Sequence, residues 1–307
     1  MTLFLIALST VFVMLLYALP GFLMVKTKLV KESSIPDFAR FLMYVCSPML
    51  IIDSFMKASR GGGIAGSLVF IFFFVVLVEG GMLIAFFFLF RKKREDVRYR
   101  VYVLATCFSN CGFMGVPILE ALLPEYPSAA ALSAMFTVAM NVLGWTAGSA
   151  IIANDKRYMS LRKLLLNPIV LALPVAILFL ATGYRPPELL ADAISILARM
   201  STVLCMLIMG MRLATVSIRS LLLRPAQYAV IAIKQLILPL AVLGILWLLP
   251  IDPNVRTCAF IMTACPVASV VLSFAEMIGE GQETAANLML LGTFLSVLTI
   301  PVMALLI

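Results

Sequence analysis

The sequence predicts an all-α polytopic membrane protein, and three observations carry that reading. Hydrophobic residues make up 63% of the 307 and charged ones 12%, with a mean hydropathy of +1.12. Soluble domains run near 45–50% apolar and about 25% charged. Ten segments stay apolar for roughly the 20 residues that a bilayer-crossing helix needs, and only short connections separate them. No stretch shows the two-residue alternation of a barrel strand. A soluble enzyme or a nucleic-acid binder would need a polar exterior that this chain lacks the sequence to build.

The expected spans run 3–25, 36–56, 65–90, 98–122, 127–153, 165–183, 189–214, 225–249, 255–278 and 284–306. The first lacks a basic leader and continues to Val25, which reads as a retained helix rather than a cleaved signal. Basic residues set the orientation. Loops 1, 3, 5 and 7 hold 3, 6, 4 and 3 of them, together 16, whereas the even loops hold Lys57, Arg60, Arg185 and Arg256. Positive residues stay inside, so the odd loops are expected in the cytoplasm and both termini outside. The net charge of +8 is therefore mostly topology rather than a ligand site.

Ten spans divide at the basic loop into five and five: residues 1–153, a linker at 154–164, and residues 165–307. Five is odd, so the two copies of a duplicated unit must enter the membrane in opposite directions, the inverted repeat of many secondary transporters. The fourth span of each half carries a proline (Pro117, Pro266) and, upstream, a Thr-Cys pair (Thr106-Cys107, Thr257-Cys258).

Span 4 contains "SNCGFMGVP", a run of poor helix formers where a membrane helix should be most regular. Backbone groups freed by a break cannot be left facing lipid, so such a break implies protein or a watery cavity around it. A half-helix N-terminus offers free N–H groups and partial positive charge, which suits an anion. The candidate binding residues are Asn110, Cys111, Gly112, Gly115 and Pro117 in span 4, Cys265, Pro266, Val267 and Ser269 in span 9, and Asn141 in span 5. The plainer alternative is a pair of proline kinks with small residues for close packing.

Glu79 in span 3 and Lys234 in span 8 stand mid-membrane in equivalent spans of the two halves. Intramembrane charges usually have partners and functions. Glu79 is read as a proton or cation site and Lys234 as its charge compensation, with a structural ion pair as the alternative. Asp53 and Lys57 read as a surface pair, and Glu120, Arg199 and Glu276 as off-centre side chains that snorkel. Gly144 and Gly148 form a GxxxG packing motif. The six cysteines read as packing residues, not metal ligands or disulfides, and no cofactor motif or catalytic constellation appears, so an enzyme is not expected.

"SNCGFMGVPILEAL" resembles the fourth-helix motif of the auxin efflux carrier family, bacterial permeases related to plant PIN carriers, within the bile acid/arsenite/riboflavin transporter superfamily. "SPMLIIDSF", "MNVLGWTAG", "MLIMGMRLA", "IKQLILPL" and the stretch beginning "CPVASVVLSFAEMIGEGQ" extend the likeness over most of the chain. The resemblance implies a scaffold of spans 1, 2, 6 and 7 and a transport unit of spans 3–5 and 8–10. Helices 4 and 9 would cross near Pro117 and Pro266, and a small mono- or dicarboxylate (malate, malonate or an auxin-like acid) would bind there, with Asn110 on its carboxylate. It further implies elevator-type transport by a homodimer in the cell's inner membrane, with coupling to H+ or Na+ left open. Two departures stand out: loop 5 is short, and "ACPVAS" has no asparagine to match Asn110. A sodium-coupled bile-acid-type symporter and a non-transporting receptor or structural protein remain as alternatives.

Overall fold

The structure, a computed structural model, describes residues 2–59, 61 and 63–307; Arg60, counted above among the even-loop charges, lies outside them. Among the described residues, eight helices are long and apolar enough to cross a membrane. They are α1 (Leu3–Lys26), α2 (Glu32–Lys57), α3 (Ile64–Leu89), α5 (Ala129–Ala153), α6 (Lys156–Thr182), α7 (Glu188–Thr215), α8 (Pro225–Trp247) and α10 (Gln282–Leu306). Between α3 and α5 the chain forms an interrupted pair, α4a (Val97–Cys107) and α4b (Cys111–Leu122). Between α8 and α10 it forms another, α9a (Pro253–Ala264) and α9b (Val270–Ile278). This is an all-helical, multi-pass membrane protein.

Proline shapes several helices without ending them. Pro48, Pro117 and Pro239 each follow a five-residue π turn, at Leu42–Cys46, Cys111–Gly115 and Ile233–Ile237. The wider turn moves the backbone away from a ring that would otherwise clash with the carbonyl four residues back.

Two sets of helix contacts stand out. One unites α1 with α7, α2 with α6 and α2 with α7; the other unites α3 with α5 and α8 with α9a, and α1 packs on α10 to join the two sets. If the chain is halved after α5, the α1–α7 contact maps onto the α6–α2 contact, as a twofold relation between halves requires. The α1–α7 contact is backbone on backbone. A Cβ added at Gly210 would lie 1.8 Å from the Ala18 carbonyl oxygen, and one at Gly21 would lie 2.0 Å from that of Leu207. Only glycine fits there.

The Gly144–Gly148 spacing does serve packing, but against rings rather than another helix backbone. An added Cβ would meet Phe274 at 3.2 Å from Gly144 and Phe108 at 3.0 Å from Gly148. Those two phenylalanines flank the two helix interruptions, so α5 is seated against both.

Candidate functional site

The interruptions meet. Phe108 leaves α4a in an extended conformation, and Ser109 pairs antiparallel with Val267. The Asn110 N–H donates to the Pro266 carbonyl at 2.7 Å, and the Ala268 N–H donates to the Phe108 carbonyl at 3.1 Å. Each broken helix thus recovers hydrogen bonds from the other, which is how buried backbone freed from a helix is satisfied. The first interruption lies at Phe108–Asn110, not at Pro117. That proline stands inside α4b, where the π turn Cys111–Gly115 passes into the α-helical segment Val116–Leu122.

The crossing sorts helix ends by polarity. α4a and α9a arrive with their carbonyl ends, and Lys234 sits between them with no exposed surface. Its ammonium donates to the Cys107 carbonyl at 3.3 Å, the Thr263 carbonyl at 3.2 Å and the Ser109 hydroxyl at 2.5 Å. A helix C-terminus carries about −0.5 charge, so two of them match one ammonium. All three donors of Lys234 are used on the crossing, and none on Glu79. Glu79, 3% exposed on α3, has no hydrogen-bond partner at either carboxyl oxygen among the described residues.

α4b and α9b begin on the opposite side of the crossing, beside a cavity of about 120 Å³. Ser109, Asn110, Gly112, Phe113, Ser269 and Val270 contribute to its wall. Among the described residues, the N–H groups of Gly112, Phe113, Ser269 and Val270 find no acceptor outside their helices, as expected of first-turn positions. Three buried side-chain atoms of wall residues make no hydrogen bond of good geometry among the described residues: Asn110 Nδ2, which lies beside the Cys205 thiol, Trp145 Nε1 and Arg212 Nε. All three are donors. A small cavity furnished with spare donors and two positive helix ends is built to receive an acceptor-rich, negatively charged group.

Of the residues expected at a binding site, Asn110, Gly112, Asn141 and Ser269 line this cavity. Pro266 and Val267 form the crossing behind it. Cys111 packs against Thr137 at 3.2 Å and its carbonyl accepts from Ser133. Gly115 admits the Cys265 thiol, which an added Cβ would meet at 3.6 Å. Asn141 both lines the cavity and joins helices: its Nδ2 donates to the Thr137 carbonyl at 2.8 Å, and its Oδ1 accepts from Asn167 of α6 at 3.5 Å.

A family model described as "Membrane transport protein" matches residues 4–304. The chain belongs to this membrane transport family, of the auxin efflux carrier type. No curated protein matches it.

Two charged features of this transporter differ from the sequence reading. Asp53 is not part of a surface pair. It is buried, bonded to Lys57 at 2.5 Å and to the Ser195 hydroxyl at 2.8 Å, and lines a second cavity of about 790 Å³. Glu120, Arg199 and Pro117 line that cavity too, on the other side of α4b. Glu276 does not merely snorkel: it forms an ion pair with Arg212 of α7, and both residues line the smaller cavity. The transporter's Arg212 had been counted only among the loop charges, where nothing in the sequence distinguished it. Thr137 was more legible, because Ser133, Thr137 and Asn141 recur every four residues and so share a face of α5.

Proposed function

We propose that this transporter moves a small organic anion, a mono- or dicarboxylate such as malate, malonate or an auxin-like acid, by secondary active transport with alternating access. The observation that carries the reading is the set of spare donors, Asn110 Nδ2, Trp145 Nε1 and Arg212 Nε, gathered in one cavity at the N-terminal ends of two half-helices. A cavity of about 120 Å³ favours a compact acid over a bulky bile acid. The chain crosses the cell's inner membrane ten times, with both termini outside, as two inverted repeats of five spans. α1, α2, α6 and α7 act as a dimerising scaffold, and the other six spans act as an elevator that carries the crossing. The two sets of contacts and the twofold pattern of helix contacts support this division. Glu79, a carboxyl with no hydrogen-bond partner among the described residues, supports protons over sodium as the coupling ion.

Counterflow exchange in proteoliposomes tests the proposal, using labelled malate, malonate, succinate, pyruvate and indole-acetate with and without sodium. Saturable exchange of one of these acids that is lost in Asn110→Ala is the expected result. Exchange that survives in the variant would move the site away from the crossing. Absence of exchange by folded wild-type protein would remove the carboxylate reading, and a sodium requirement would favour a sodium-coupled symporter.

A further inference from the structure

The Arg212–Glu276 pair occupies a special position. Arg212 comes from α7, one of the helices packed with α1 and α2, whereas Glu276 comes from α9b, whose first turn supplies the Ser269 and Val270 N–H groups. The pair therefore ties α7 across the cavity to α9b, a half-helix that packs on α10, the end of α5 and α4a. These two are also the charged residues of the wall; among the described residues the others that line it are neutral. With the pair formed, the wall has no net charge, and an arriving anion has the helix ends and amide donors but no free cation.

The guanidinium is already prepared for a second partner. Nη2 meets Glu276, while Nε, its neighbour on the same edge, is buried and finds no acceptor among the described residues. A carboxylate is best held by two parallel N–H donors, and Nε and Nη2 of Arg212, on one edge of the guanidinium, make such a pair once Glu276 leaves. The partners differ in exposure as well: the Glu276 side chain is 37% exposed and that of Arg212 is 21%. Glu276 can be released to water more cheaply than Arg212.

We propose that Arg212 receives the carboxylate of the transported acid, and that its ion pair with Glu276 is a latch which the arriving anion opens. The anion takes the guanidinium, Glu276 turns to solvent, and the tie between α7 and α9b is lost in the same event. Charge compensation and unlocking are then one exchange of partners. An empty carrier stays latched, and a loaded one is free to move. The proposal rests on the carboxylate-transport reading and adds a residue and a role that the helix crossing does not contain.

The test compares Glu276→Gln, Arg212→Gln and the double variant by counterflow, with whichever of malate, malonate, succinate, pyruvate and indole-acetate the wild type exchanges. Glu276→Gln removes a competitor and should lower the half-saturation concentration about fivefold, the scale of a partly exposed ion pair. Arg212→Gln removes the receiver and should raise it by about as much or more, and the double variant should match Arg212→Gln. A merely structural tie would move both single variants in the same direction, and that result would overturn the proposal. A second readout does not depend on substrate. Ser273 lines the cavity one turn before Glu276, so thiol labelling of Ser273→Cys should be faster when Glu276→Gln is added. Equal labelling rates would refute the latch. Wild type that exchanges none of the five acids, with faster labelling in the variant, would fault the substrate reading and leave the latch standing.

Discussion

Replacing Lys234 by Met would separate what the ammonium does for the crossing from what its burial costs. Met has nearly the same length and no donors, so Cys107 O, Thr263 O and Ser109 Oγ would each lose a charged donor. Such bonds contribute about 1.5–3 kcal/mol each, or about 4–9 kcal/mol for the three. Against this, the fully buried ammonium has given up its hydration, and Met returns several kcal/mol of that penalty. The net expectation is a loss of about 2–4 kcal/mol, with Lys234→Gln intermediate because an amide retains two donors. Thermal unfolding of purified protein in detergent should give melting temperatures in the order wild type, Gln, Met. If the anion is held beside the crossing, as proposed, counterflow should fall more steeply than stability. A Met variant as stable and as active as wild type would refute the idea that Lys234 neutralises the two carbonyl ends.

Gly210→Ala places a methyl group 1.8 Å from the Ala18 carbonyl oxygen and should cost about 1–3 kcal/mol or more by forcing α1 from α7, read as a lower melting temperature. Gly244→Ala, with nothing within 4 Å of the added atom, is the control and should melt like wild type. Asn110→Ala should abolish or strongly weaken exchange and lower the melting temperature little, because the Asn110 amide meets only the Cys205 thiol. Glu79→Gln should leave counterflow exchange intact but flatten the pH dependence of net uptake; an unchanged pH profile would remove Glu79 from coupling.

The helix positions were legible because lipid imposes a simple rule on composition, and the basic loops punctuate it. The existence of two breaks was legible too, through Gly and Pro in "SNCGFMGVP" and "ACPVAS". Their location was less so. Proline drew attention to Pro117, yet the chain unwinds at Phe108–Asn110 because that segment pairs with Val267 from the other half, a contact that no local propensity encodes. The role of Lys234 was hidden for the same reason. Its partners are carbonyls and a hydroxyl more than 25 residues away in sequence, whereas the sequence offered Glu79 as the obvious counter-charge. Arg212 and Glu276 looked like helix-end charges until the fold brought α7 beside α9b.

The clasp formed by Lys234 has a consequence for how the protein is made. Ser109 and Lys234 lie 125 residues apart, so at about 5–20 residues per second the first break is synthesised many seconds before the ammonium that satisfies it. The residues that complete its pairing, Pro266 to Ala268, arrive later still. During that interval the Phe108 carbonyl and the Asn110 N–H lack their final partners, which come from the second half, and lipid supplies no substitute. The amino-terminal five helices are thus an unfinished object, and a truncation after α5 should be retained by the insertion machinery or degraded rather than accumulate as a half-carrier. Supplying residues 154–307 as a separate chain should rescue it, since the missing hydrogen-bond partners need only be present in the same membrane.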